Sequence, residues 1–177
     1  MRVIAGSARG RKLLAPQGGQ TRPITDRAKE GIFNMLVSLG DVVDENVVDL
    51  YAGSGSFGIE SLSRGARHAT FVEQDREAQG VLAKNLETLG FTQQATIIGR
   101  PVLRTLSSLE PAGIVFCDPP YAEDPWTQIW EQATSRLVVG HAESPIALAE
   151  PWQELKRRKY GRSHILIAQV VSHSPSL

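Results

Sequence analysis

Asp118-Pro119-Pro120-Tyr121 is the stretch whose residue types point to the most specific chemistry. An exocyclic amine of a nucleobase, or an amide nitrogen, is a poor nucleophile because its lone pair is delocalised. Asp118 and the Pro119 carbonyl can each accept one N–H of such an amine. Two acceptors at fixed angles bias the nitrogen toward a tetrahedral shape and aim its lone pair at an incoming methyl group. Pro119 and Pro120 restrict the backbone angles, so little further ordering is needed. Tyr121 offers a flat face on which a planar base stacks. A base in a duplex would first have to leave its stack. Asp118 can also stabilise positive charge as the nitrogen is alkylated. Cys117, next in line, reads as a buried strand residue, because amine methylation needs no covalent enzyme intermediate.

A second stretch reads as a cofactor loop. Val47–Tyr51 has the pattern of a buried strand, followed by Ala52-Gly53-Ser54-Gly55-Ser56-Phe57-Gly58. Glycines let the backbone turn tightly and let a ligand approach its amides. In an open α/β sheet, ligands bind at the carboxyl ends of the strands. Glu73 lies twenty residues after Gly53, followed by Gln74, and its carboxylate can accept both hydroxyls of a ribose. By itself this is a nucleoside-cofactor site that also describes NAD. Two details favour S-adenosylmethionine. Asp49, within the strand, can sit near the ammonium or sulfonium of a cationic cofactor, and the next motif along the sheet is Asp118–Tyr121.

The elements needed to position these motifs alternate along the chain. Strands are expected at 47–51, 69–73, 95–98, 114–117 and 145–149, with a final hairpin from 156–160 and 163–170. Helices are expected at 26–39, 56–64, 75–89, 102–109 and 126–136. Thr25 or Asp26 is placed to cap the first helix and Gly40 to stop it. Val3-Ile4 and Leu13-Leu14 flank a turn-rich stretch and suggest a hairpin, and Gly18-Gly19 breaks the chain after it. Such alternation implies a mostly parallel sheet covered on both faces. Trp126 and Trp130 read as core.

Composition bounds the remaining possibilities. The 177 residues suit one domain, and 41% hydrophobic with 21% charged residues is the balance of a globular protein. One cysteine fits a reducing compartment, and no apolar run approaches a membrane span. A cytoplasmic monomer is expected. His68, His141, His164 and His173 lack metal-ligand spacing, so no metal is expected. No phosphate-loop motif of the ATPase kind is present. The net charge of zero hides an asymmetry: residues 1–31 hold seven basic and two acidic side chains, and the rest of the chain carries the balancing negative charge. A basic end on an acidic body suggests a phosphate-binding surface. Lys156–Lys159 with Arg162 forms a second basic patch that reads as a solubilising face.

Three blocks together resemble a known family: Arg2–Leu13 with Thr21–Asn34, Asp49–Gly58 with Glu73, and Asp118–Tyr121. The chain resembles the RsmD family, bacterial methyltransferases that modify N2 of one guanine in 16S ribosomal RNA. The N-terminal Arg-Pro-x-x-Asp-Arg block is its specific part. The resemblance implies a Rossmann-like class I S-adenosylmethionine methyltransferase domain over 41–171, with a seven-stranded sheet whose last strand is antiparallel. It implies an RNA-facing hairpin and helix over 1–40 and a disordered tail over 172–177. Asp118, Pro119, Pro120 and Tyr121 would hold the guanine. Asp49, Tyr51, Ala52, Gly53, Ser54, Gly55, Glu73, Gln74 and Arg100 would line the cofactor site. Arg2, Arg9, Arg11, Lys12, Arg22, Thr25 and Arg27 would face RNA, either free 16S rRNA or an assembling 30S subunit. Three places depart from the family pattern. Ile24 stands where Thr is usual. Gly99-Arg100-Pro101 replaces the Asp or Asn near the adenine ring. Tyr160-Gly161-Arg162-Ser163 replaces Tyr-Gly-Asp-Thr. Other readings remain open: a DNA adenine-N6 or protein glutamine methyltransferase, a nicotinamide-dependent oxidoreductase, and a catalytically silent RNA-binding module.

Overall fold

A computed structural model describes residues 1–16 and 24–171. The main elements are α1 (Asp26–Val37), β1 (Asn46–Leu50), α2 (Ser56–Ser63), β2 (His68–Val72), α3 (Arg76–Leu89), β3 (Ala95–Ile98), α4 (Val102–Thr105), β4 (Ala112–Cys117), α5 (Trp126–Gln132), β5 (Ser135–Ala142), β6 (Trp152–Tyr160) and β7 (Ser163–Val170). The strands form one seven-stranded sheet in the order β3-β2-β1-β4-β5-β7-β6. β3, β2, β1, β4 and β5 run parallel to one another, and β7 runs antiparallel to both β5 and β6. The expected class is therefore present, with β1 and β4 side by side at the crossover.

Alternation along the strands divides the core into two layers. Val47, Phe71, Ile114, Phe116 and Val139 face one layer, closed by α1, α2 and α3. Phe116 stacks on Phe57 of α2 and lies against Phe33 of α1. Val48, Leu50, Val115, Cys117 and Val138 face the other, where Trp126, Trp130 and Trp152 pack in series. The tryptophans are core residues, and the Trp130 and Trp152 indole N–H groups donate to the Ala147 and Trp130 carbonyls.

Side-chain caps start two of the helices, the first of them as expected. The Thr25 hydroxyl accepts the Ala28 N–H at the start of α1, and Asp75 accepts the Ala78 N–H at the start of α3. Ile24, where the family usually has Thr, is buried in the first core layer.

Three expectations need correction. The fifth strand is Ser135–Ala142, not 145–149, and α5 stops at Gln132 rather than 136. Leu137-Val138-Val139 is a continuous apolar run of a strand buried on both faces, which periodicity alone cannot tell from the end of a helix. Residues 145–149 are irregular; Ile146 is buried there, and the segment serves as a packed cover over the tryptophans. The N-terminal hairpin is present but shorter than the expected runs: Met1 and Val3 pair through the backbone with Leu13, Arg11 and Gly10 around the Arg2–Lys12 bridge, whereas Ile4, Ala5 and Ala8 bond to α2 and Leu14 to Asn85. The Gly18-Gly19 break, Arg22 and the 172–177 tail lie outside the described residues.

Candidate active site

The two motifs meet because β1 and β4 are neighbours, with Leu50 paired to Cys117. Their loops leave the same edge of the sheet. Tyr51 takes a left-handed conformation (φ 57°), which a non-glycine residue rarely adopts, and turns the chain out of β1. Gly55 is also left-handed, and a Cβ there would lie 2.4 Å from Leu82. A Cβ on Gly58 would lie 2.2 Å from the Phe71 ring, so glycine lets α2 pack directly on β2. At Gly53 a Cβ would meet nothing within 4 Å: this part of the loop faces open space.

Carboxylates and an amide fix the loop. Asp49 is buried and accepts the Gly58 N–H at 2.8 Å. Glu73, just past β2, accepts the Gly53 N–H with one oxygen and the Asp75 N–H with the other, each at 2.8 Å. Each carboxylate oxygen keeps a further lone pair for a ligand hydroxyl. The buried Asn85 of α3 donates to the Ser54 carbonyl at 3.0 Å. The same side chain donates to the Leu14 carbonyl and accepts the Leu14 N–H, so it ties the N-terminal segment to the loop. Gln74 and Arg100 are exposed beyond β2 and β3.

Electrostatics give the site a sign. Burial pushes the Asp49 carboxyl up to about 8, and the charges of Asp118 and Glu73 push the same way against the Gly58 and Phe57 amides. Three carboxyl groups from β1, the end of β2 and the end of β4 thus share one field, with Asp118 and Glu73 acting on the buried Asp49. That field favours a ligand carrying positive charge and opposes a pyrophosphate. Burial also pushes the Cys117 thiol up, with Asp118, Asp49 and Glu123 adding to it, so Cys117 is the inert strand residue expected of it. The Tyr51 hydroxyl is raised by burial first, then by Cys117 and Glu123.

Asp118 follows β4 directly and is one-third exposed at its side chain. The Pro120 carbonyl accepts the Glu123 N–H at 2.8 Å, closing a turn that leaves the Pro119 carbonyl outside its hydrogen bond. Tyr121 is 47% exposed on that turn. Asp118 Oδ1 lies 2.7 Å from Nδ1 of His141, a buried residue of β5. Spacing did not single out His141, because its partner is 23 residues away and reached only through strand register. Among the described residues, no cluster of three or more His, Cys, Asp or Glu is arranged to hold a metal ion. No helix among them is long and apolar enough to cross a membrane.

Residues 4–8 of the basic arm dock at the far end of α2, away from the loop. Glu60, fully buried, accepts the Ile4 N–H at 2.7 Å and the Ala5 N–H at 3.0 Å. It also pairs with Arg64 at 2.8 Å and lies 3.5 Å from Lys29, a buried lysine of α1. Lys29 donates to the Arg2 carbonyl, and Ser63 Oγ accepts the Ala8 N–H. Arg9, Lys12 and Arg27 are left exposed. Arg2 pairs with Asp26 and Arg11 donates to the Thr88 carbonyl, so these two are partly engaged. Thr25 is spent on the α1 cap. Sequence reasoning missed Glu60, Lys29 and Asn85. A charged residue on an otherwise apolar helix face, as at Lys29 and Glu60, was the available signal.

Known proteins resemble this chain in sequence and fold. Ribosomal RNA small subunit methyltransferase D of Haemophilus influenzae is 35% identical over 178 residues, covering 91% of this chain and 89% of the relative. The protein of the same name in Escherichia coli K12 is 40% identical over 121 residues, covering 68% of this chain and 60% of that one. A solved structure of a hypothetical protein from Thermus thermophilus is 28% identical, covers 96% of this chain and 99% of its own, and gives a TM-score of 0.82. An RNA methyltransferase from Salinibacter ruber, solved with S-adenosyl-L-homocysteine, shares the fold with a TM-score of 0.65 at 15% identity, over 87% of this chain and 97% of that one. A family model described as conserved hypothetical protein 95 matches residues 1–169, so it takes in the arm, the glycine loop and the Asp-Pro-Pro-Tyr turn together; the chain belongs to that family, the RsmD family.

Proposed function

We propose that the protein methylates the exocyclic N2 amine of one guanine in small-subunit (16S) ribosomal RNA, using S-adenosylmethionine, with an assembling 30S subunit as substrate. One observation carries this reading. The Asp118–Tyr121 turn and the glycine loop leave adjacent strand ends within a shared negative field, which suits a cationic methyl donor beside an amine acceptor. The relatives named as ribosomal RNA methyltransferases support the substrate class.

S-adenosylmethionine supplies a methyl group on a sulfonium sulfur, and transfer to nitrogen releases the thioether and one proton from the amine. Glu73 accepts the ribose hydroxyls, and the open face at Gly53 with Ser54 and Gly55 receives the cofactor body. Tyr51, Ala52, Gln74 and Arg100 complete the walls. Asp49 keeps the loop in place through its bond to Gly58, and a cationic cofactor end beside it would draw it into its charged form. Asp118 and the Pro119 carbonyl accept the two amine N–H groups, Pro120 holds the turn, and Tyr121 carries the base. Arg2, Arg9, Arg11, Lys12, Arg22, Thr25 and Arg27 belong to an RNA-facing extension over 1–40 of a catalytic unit over 41–171, acting as a cytoplasmic monomer.

The test is transfer of label from radiolabelled S-adenosylmethionine to four acceptors: small subunits lacking the modification, matched naked 16S rRNA, DNA, and ribosomal protein. N2-methylguanine in rRNA is the expected product, with subunits preferred over naked RNA. Label in DNA or protein would overturn the substrate assignment and keep the amine chemistry. Binding of NAD without S-adenosylmethionine would overturn both.

A further inference from the structure

The reaction as described uses Asp118 and leaves unused the buried imidazole beside it. Cys117 of β4 pairs with Gly140 of β5, so Asp118 and His141 are the next residues along two neighbouring parallel strands. His141 is 4% exposed, and its Nδ1 lies 2.7 Å from Asp118 Oδ1. Its Nε2 is buried with no hydrogen-bond partner among the described residues. The strand beneath is tightly packed: a Cβ on Gly140 would lie 2.8 Å from Ile146 and 2.9 Å from the Trp126 ring.

We propose that His141 is a positioning residue for Asp118: its Nδ1–H holds Oδ1, fixes the carboxylate in one orientation and leaves Oδ2 to receive the substrate amine. The proposal rests on the amine-methylation reading above. An ionised carboxylate only accepts hydrogen bonds, so Nδ1 must carry the proton in this contact. A proton on Nε2 would find no acceptor in its buried surroundings, which selects the same tautomer. Asp118 needs such a tether. It stands at a strand end with its side chain one-third exposed, and two freely turning bonds would otherwise let it swing toward water. A charge-assisted bond to a buried ring supplies the restraint. A reacting group displaced by about 1 Å loses rate on the order of a hundredfold, so the orientation of Asp118 controls turnover more than binding.

The experiment compares the full-length protein with His141→Ala, His141→Phe and His141→Asn in methyl transfer to the RNA acceptor that the wild type uses. His141→Ala is expected to lower kcat by about tenfold to a hundredfold, with KM for S-adenosylmethionine and for RNA unchanged. His141→Phe fills the same space without a donor and is expected to be as slow. His141→Asn places a side-chain N–H near the former Nδ1 and is expected to restore most of the rate. Equal rates in Asn and Phe, a rise in KM in place of the fall in kcat, or no change with Ala would each overturn the proposal. Long-range 1H–15N NMR of the labelled wild type reads the tautomer independently of turnover. The Nδ1–H form is expected, and the Nε2–H form would overturn the proposal whatever the activity. Absence of methyl transfer by the wild type to any acceptor would instead remove the functional reading, while an Nδ1–H tautomer would still support the contact.

Discussion

Replacing Glu60 with alanine removes the acceptor on which the N-terminal arm is anchored. Four donors lose this carboxylate: the Ile4 and Ala5 amides, Arg64 Nε and the Lys29 ammonium, which keeps only the neutral Arg2 carbonyl. Lys29 and Glu60 are both fully enclosed, so water does not replace the lost carboxylate without local opening. Breaking a buried ion pair from one side costs about 3–5 kcal/mol, a large part of the roughly 5–15 kcal/mol that holds a typical domain folded. Lys29 has one route of relief, which is to lose its proton. Burial already lowers its pKa below 10.5, and Glu60 is the main influence opposing that shift. Without Glu60 the folded-state value falls further. Between the folded and unfolded values the unfolded chain binds the extra proton, so stability rises with pH across that window. The window is wider in the variant, and its deficit relative to wild type therefore shrinks from pH 7 toward pH 10. Urea denaturation followed by tryptophan fluorescence at both pH values measures this, with Glu60→Gln, which keeps an acceptor oxygen, expected to be milder. A loss no larger than the ~0.5 kcal/mol of a surface substitution, or a deficit independent of pH, would refute the reasoning.

Asp118→Ala is expected to reduce methyl transfer by at least about 10²–10³-fold while S-adenosylmethionine binding measured by calorimetry changes little; loss of cofactor binding would mean that the residue acts in the wrong half of the site. Arg9→Ala with Arg11→Ala is expected to weaken RNA binding and flatten its dependence on salt by roughly 0.7–0.9 in log–log slope for each phosphate no longer neutralised; an unchanged slope would take the arm out of the RNA footprint. Asp49 keeps its proton in the folded protein up to about pH 8, whereas the unfolded chain releases it above 3.8, so this group makes stability fall as pH rises through that interval. Asp49→Asn is expected to gain on wild type between pH 5 and pH 8 in denaturation experiments, and parallel pH profiles would count against a protonated Asp49.

What the sequence made legible is what lies close together along the chain. The Val47–Gly58 strand, loop and helix carry glycines whose spacing states their purpose, and Asp118–Tyr121 follows an obvious buried strand. The Thr25 cap is likewise a local signal. Contacts set by register were not legible. Asp118 and His141 become neighbours only once β4 and β5 pair in register from Ala112 with Ser135 to Cys117 with Gly140, and β5 itself was hidden. Only Ala133 and Thr134 separate it from α5, with no glycine or proline to mark the change, while Pro145–Ala149 imitates a strand that the sheet does not contain. Glu60 was obscured for the opposite reason. Its three kinds of donor come from residues 4–5, 29 and 64, and its sequence context shows none of the first two.

A sheet with two open edges also has to remain one molecule's sheet. The edge strand β3 is only four residues long, which offers little for another strand to bind. The other edge, β6, is nine residues long and carries Lys156-Arg157-Arg158-Lys159 in succession. Were a second copy to add its own β6 alongside, each run of four cations would confront its twin at strand spacing of ~4.8 Å, where like charges repel. The basic run thus guards the long edge against self-assembly, and replacing it with Thr and Val would turn the same strand into a site for sheet growth between molecules.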